Sequence, residues 1–218
     1  MNAAIMNSPI SLPKCIIARA GGLFVALAVV LSGCAMTQST RTPAHIEIQE
    51  KVGFTITEEA RISSGVRTDY DTALDYLEQG RHEEGIALLE AVADGAPQLS
   101  APRIDLGIAY HRAGNLEAAE TNLLLALESN PDHPIAHNEL GIVYRKAGRI
   151  AEARQSYEAA LAIYPGYHYA RRNLAVLCDL YLADLSCALE NYEAYMATVS
   201  SDDEAAMWIT DIRTRLGQ

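Results

Sequence analysis

The sequence predicts an all-α protein, a superhelix of three to four helix-turn-helix repeats closed by a C-terminal helix. Three observations carry that prediction. The stretch from Arg103 to Pro165 says nearly the same thing twice, 34 residues apart: Leu106-Gly107-xx-Tyr110 returns as Leu140-Gly141-xx-Tyr144, Ala119 as Ala153, Leu123 as Tyr157 and Ala126 as Ala160. The punctuation repeats as well, because Gly114 and Gly148 end the first helix of each pair and Pro131 and Pro165 stop the second. Helical periodicity also begins near Asp69 and continues to the C-terminus. Gly107 and Ala119 have a steric reason to be small, since two antiparallel helices joined by a short turn approach closely only where neither carries a bulky side chain.

This pattern resembles the tetratricopeptide repeat, which runs W-xx-L-G-xx-Y, then A-xxx-F, then P, at a period of 34. The resemblance implies a right-handed superhelix and a protein-binding scaffold. The tryptophan position is occupied by Arg103 and His137. A degenerate first copy holds Tyr76, Gly80, Gly85, Leu89 and Pro97, with Thr72-Ala73 in place of Leu-Gly. A fourth copy starts at Leu174-Ala175-xx-Cys178, and its second helix runs from about Leu185 through Ala188, Tyr192 and Tyr195. That helix is one residue out of register, so an altered turn is expected around Asp179 to Asp184.

From the N-terminus, residues 1–33 read as an export signal. Lys14 and Arg19 form the positive flank, and Ala20 to Leu31 is an uncharged apolar run. Twelve residues are too few for a helix to cross a bilayer core of roughly 30 Å. Leu31-Ser32-Gly33-Cys34 resembles a bacterial lipobox, which implies acylation of Cys34, and Ala35 after it implies the periplasmic face of the outer membrane. Two or more acyl chains, at about 0.8 kcal/mol per buried methylene, make a stable anchor. The leader takes only Lys14 and Arg19 with it, so 17 basic residues fall to 15 against 28 acidic ones, and the net charge goes from −11 to −13. That balance disfavours nucleic-acid binding and suits a body exposed to basic partners.

Residues 34–45 read as a lipidated tether, because from Ala35 to Pro43 they are small, polar or Pro. Residues 46–65 form an extended segment in which Ile46, Ile48, Val52, Phe54 and Ile56 all fall on even positions, the alternation of a strand. With no second strand expected to pair with it, the segment is read as lying on the repeat body rather than as an edge for a partner's sheet. The repeats then occupy 66–200 and a capping helix 201–218, introduced by Ser201-Asp202-Asp203-Glu204 as an N-cap with acidic residues in the first turn.

No Gly-rich phosphate loop, serine elbow or framed carboxylate pair points to an enzyme, and no cofactor is called for. His133 and His137 have metal-ligand spacing, but Pro134 starts a helix between them and no third ligand completes a set, so they read as turn or surface histidines. Binding in such a stack falls on the concave face, lined by the first helix of each pair. There the positions not used for packing are Ile108, His111 and Arg112, then Asn138, Ile142 and Arg145, then Tyr169, Arg172, Asn173 and Val176. Arg112, Arg145 and Arg172 together resemble the peptide grooves of the family, where Asn and basic residues hold a partner's backbone or carboxylate. The alternative is a solvated face with scattered charge.

The run from Asn173 to Leu185 resembles a group of proteobacterial repeat lipoproteins described as accessory components of TonB-type transport systems. A pilotin for a type IV pilus secretin, an adaptor for peptidoglycan-remodelling enzymes, the binding subunit of an enzyme complex and a minimal hydrolase with an unrecognised site are the other classes compatible with the sequence. The expected partners are a protein or peptide in the groove and the membrane through the lipid on Cys34, with no small-molecule substrate. Cys178 and Cys187 stand on facing positions of the fourth pair. Export permits a disulfide between them that contributes about 2–3 kcal/mol, the alternative being two small buried thiols.

Overall fold

The computed structural model describes residues 45–49, 53–58 and 62–217. The leader, Cys34 and the tether lie outside the described residues. Two strands, β1 (His45–Gln49) and β2 (Gly53–Thr57), precede nine helices among the described residues. These are α1 (Ser64–Glu78), α2 (His82–Gly95), α3 (Ala101–Arg112), α4 (Leu116–Ser129), α5 (Pro134–Lys146), α6 (Ile150–Ile163), α7 (His168–Leu180), α8 (Leu185–Thr198) and α9 (Asp203–Arg215). Each odd helix packs antiparallel on the even helix that follows, and successive pairs stack into a right-handed superhelix. No described helix is long and apolar enough to cross a membrane.

The pairs close on one steric device. A Cβ built on Gly107 would stand 2.5 Å from Leu123 Cγ, and one on Gly141 would stand 2.5 Å from Tyr157 Cε1. Leu123 and Tyr157 are themselves fully buried, so neither can yield. In the first pair the small residues exchange sides: Ala73 stands on α1, and a Cβ built on Gly85 of α2 would stand 2.7 Å from Leu77 Cδ2. One methyl is moved across the interface, so the spacing survives the degenerate sequence. Leu89, Leu123, Tyr157 and Tyr192 are the buried residues that fill the space in the four pairs.

The missing tryptophans are replaced by polar ties. Arg103 donates to Asn122 Oδ1 at 3.1 Å and pairs with Asp94, while Arg171 donates to Asn191 Oδ1 at 3.0 Å. His137 Nε2 lies 2.9 Å from the Pro131 carbonyl. Helix starts follow local capping chemistry, with Asn115, Asp184 and Asp202 side chains accepting the third amide of the helices they open. His133 caps α5 through Nδ1 and is buried, which pushes its pKa down to about 3. It is therefore a neutral cap rather than a surface histidine.

The segment before the repeats corrects the single strand expected from the sequence. β1 and β2 pair with each other, His45 opposite Thr57 through Gln49 opposite Gly53. In this register even residues oppose even residues, so a hairpin preserves the alternation that reads as one strand. The end of β2 is tied to the body by Glu58, whose carboxylate accepts from the Ser100 amide at 2.9 Å, the Ser100 hydroxyl and Asn130 Nδ2 at 3.3 Å.

In the fourth pair Cys178 and Cys187 are joined by a disulfide, with Cα atoms 5.9 Å apart. Three intra-pair turns place a glycine in the left-handed region, Gly80, Gly114 and Gly148, whereas the turn after α7 uses Ala183 at φ 51°. That turn, Tyr181 to Asp184, is one residue longer than the other three, which shifts α8 by one position.

If the close approach of α5 and α6 holds the third pair together, Gly141→Ala should destabilise the protein by about 1–3 kcal/mol through overpacking against Tyr157. Urea midpoints of the variant and the wild type measure this, and an unchanged midpoint would contradict the account.

Candidate functional site

Across the stack, α3 contacts α5 and α5 contacts α7, while the second helices meet only their sequence neighbours. The superhelix therefore curves toward the first helices, and their inner face is the candidate site. A polar ladder runs along it at a spacing of one repeat plus one residue. Tyr70 donates its hydroxyl proton to Asp105, linking α1 to α3, and Asn173 Nδ2 donates to Asn138 Oδ1 at 2.9 Å, linking α7 to α5. Asn138 in turn donates to Glu139 at 3.1 Å.

The ladder changes the reading of several expected contacts. Asn138 is 2% exposed, so it braces neighbouring helices instead of facing a partner. Ile108, Ile142, Tyr169 and Val176 are half-buried against the core, presenting only their edges. Tyr169 stacks against His168 with ring centroids 4.0 Å apart. Asn173 keeps part of its amide exposed.

Sequence reasoning missed two carboxylates on this face. Burial pushes Asp105 up to about 7, against the opposing pull of the Tyr70 hydrogen bond and the Arg112 charge. Burial likewise pushes Glu139 up to about 7; the Asn138 hydrogen bond and Arg112 oppose the shift and the Asp105 charge adds to it. Their positions follow the repeat, 34 residues apart, but nothing in residue type announces burial.

The expected arginine row is split. Arg172 is drawn to the capping helix, 3.9 Å from Asp202 and 3.7 Å from Glu204, with its guanidinium 5.1 Å from the Trp208 ring centroid. The expectation that it stands free of packing is overturned, because α9 supplies carboxylates that the pattern of α7 does not reveal. Arg145 instead donates to the Tyr157 hydroxyl at 3.4 Å and lies 5.9 Å from the Tyr181 ring centroid.

What remains is a cationic cluster at the C-terminal ends of two adjacent helices. His111 and Arg112 close α3, and Arg145 and Lys146 stand at the equivalent positions of α5. Among the described residues most arginines are ion-paired, Arg81, Arg103, Arg149, Arg154, Arg172, Arg213 and Arg215. Arg112, Arg145 and Lys146 form no ion pair among the described residues. His111 Nε2 is buried without a hydrogen-bond partner. Burial, and then the charges of Lys146, Arg112 and Arg145, hold the imidazole pKa below its usual value. Cations at helix C-termini complement the helix dipole, but the dipole does not account for an orphaned buried nitrogen among them.

A sequence model of the tetratricopeptide repeat matches residues 70–124 and 104–168. Over residues 70–168 the helix pairs match tetratricopeptide repeats. No curated protein is significantly similar in sequence. Among solved structures, MamA from Desulfovibrio magneticus RS-1 is 20% identical with a TM-score of 0.63, over 72% of this chain and 88% of that one. Pseudomonas aeruginosa PilF is 19% identical with a TM-score of 0.63, over 69% and 68%. The first repeat domain of RPAP3 (Spaghetti), solved with the HSP90 peptide SRMEEVD, is 22% identical with a TM-score of 0.53, over 57% and 99%. At these identities the likeness is one of fold.

The raised carboxyls have a measurable consequence. An unfolded glutamate titrates near 4.3, so between about pH 4 and 7 the folded protein keeps a proton that the unfolded chain has lost. Stability therefore falls as pH rises through that window and levels off above it. Glu139→Gln should lose less stability than the wild type between pH 5 and 7.5, as read from urea midpoints at each pH. Equal losses would mean that Glu139 is ionised throughout.

Proposed function

We propose that the protein is a periplasm-facing, lipid-anchored scaffold of the outer membrane, accessory to a TonB-type energised transport system. On this reading the inner face holds an acidic segment of a partner protein. The observation that carries the binding reading is the cluster of Arg112, Arg145 and Lys146, which form no ion pair among the described residues, beside the unpartnered His111 nitrogen. A carboxylate entering there gains charge-assisted hydrogen bonds and gives His111 the partner it lacks. The occupied RPAP3 domain supports the choice of ligand, because its HSP90 peptide SRMEEVD is rich in acidic residues.

The placement rests on the leader and on Leu31-Ser32-Gly33-Cys34-Ala35, and the transport assignment on the run from Asn173 to Leu185. A tether ahead of the hairpin lets the repeat body reach away from the bilayer while Cys34 stays anchored. The partner thereby meets the scaffold at the membrane, where the two are concentrated.

Two experiments test this reading. Cys34→Ala should move the protein from the membrane fraction to the soluble periplasm, and retention after a high-salt wash would refute the lipid anchor. Arg112→Glu combined with Lys146→Glu should reduce the partner recovered by crosslinking in envelopes at least about tenfold, the factor set by losing one charge-assisted bond. Far-UV helicity should stay unchanged, since Arg112 and Lys146 are exposed. Undiminished recovery would move the binding site away from this cluster.

A further inference from the structure

The turn between α7 and α8 differs from the three earlier intra-pair turns in length, sequence and surface. Where those carry Gln79-Gly80, Ala113-Gly114 and Ala147-Gly148, this one carries Tyr181-Leu182-Ala183, one residue more, with Ala183 in the left-handed position of the glycines. Leu180, at the position of Arg112 and Lys146, is 70% exposed, Tyr181 48% and Leu182 37%. They are three of the five large hydrophobic residues found exposed among the described residues. The core of this pair is filled by Leu177, Cys178 and Tyr192 and does not need them.

The turn is also held in place. Tyr181 and Leu182 amides both donate to the Leu177 carbonyl at 3.1 Å, and the Asp184 amide donates to the Cys178 carbonyl at 2.9 Å. The Cys178–Cys187 disulfide closes the base, and the Asp184 side chain caps α8. A fixed apolar tip loses little conformational freedom when it is covered, which favours binding. Three side chains on one turn fall well short of the roughly 800 Å² per partner that a stable interface buries. The tip therefore cannot hold a second copy of this chain by itself, and it works as an extension of another contact. The adjoining contact is the cationic cluster, because the Arg145 guanidinium lies over the Tyr181 ring.

We infer that the α7–α8 turn is an apolar lip of the inner-face site, taking an aliphatic or aromatic side chain of the same acidic segment whose carboxylate meets Arg112, Arg145 and Lys146. The inference rests on the reading of that cluster as the binding site. It specifies the partner as a peptide carrying a bulky apolar residue at a fixed offset from its carboxylate. Leu180 continues the row that begins at Arg112 and Lys146, so one extended segment lying across the helix ends passes from charge to oil within a single repeat.

The test selects random short displayed peptides on full-length protein in detergent, using the wild type, the Leu180→Ser with Leu182→Ser variant, and the Arg112→Glu with Lys146→Glu variant. The wild type should enrich peptides with an acidic residue and an apolar residue at constant spacing. The turn variant should keep the acidic preference, lose the apolar one, and bind a wild-type-selected peptide at least about tenfold more weakly. The charge variant should lose the acidic preference. Identical apolar preference in the wild type and the turn variant would overturn the lip while leaving the cluster standing. Absence of any enrichment by the wild type would overturn the cluster reading and the lip with it. Sedimentation of the same samples adds a further arm: a wild-type dimer that the turn substitutions dissociate would assign the tip to self-association and refute the inference.

Discussion

The approach of the two helices within each pair governs the rest of the molecule. Bulk on one helix must meet its absence on the other, Leu123 against Gly107 and Tyr157 against Gly141, with no room for an added methyl. Because this contact recurs every 34 residues, each first helix is presented to the next at the same angle and height. Equivalent positions then line up across the stack. Arg145 stands beside His111, and Lys146 beside Arg112, only because the pairs beneath them are spaced alike. The site is a property of the repeat interval before it is a property of any one residue.

That dependence explains what the sequence makes legible. The repeat, its helix boundaries and the inner-face positions all follow from spacing and residue size, which a chain displays openly. Environment is harder to read. Asp105 and Glu139 look like ordinary surface acids, and only the packing of α3 against α5 and the cover from Tyr70 and Asn138 turn them into buried groups with a pKa near 7. Arg172 looks like Arg145, yet it lies within reach of Asp202 and Glu204 from a helix some thirty residues downstream. The hairpin escaped because its register pairs even residues with even residues, so the fold-back leaves no mark in the alternation.

Degenerate copies are informative for the same reason. The first pair exchanges Gly and Ala between its helices and keeps the spacing, so its departure is neutral to the stack. The fourth pair does something else. Its turn, longer by one, moves α8 by one residue, yet Ala188 and Tyr192 still reach the buried positions, because the left-handed turn and the Cys178–Cys187 link absorb the extra length before α8 begins.

An added residue that the core has to accommodate, together with a disulfide to fix it, is an expensive way to build a turn that three glycine-containing turns elsewhere in the chain make without either. Leu180 and Leu182 stay exposed rather than joining the core. Their fixed position therefore finds its physical reason outside the chain, and the direction is set by Arg145, the residue that touches both this turn and the unpaired cations of α5. Core packing, turn geometry and surface charge thus converge on the C-terminal ends of the first helices, where Arg112, Arg145 and Lys146 form no ion pair among the described residues.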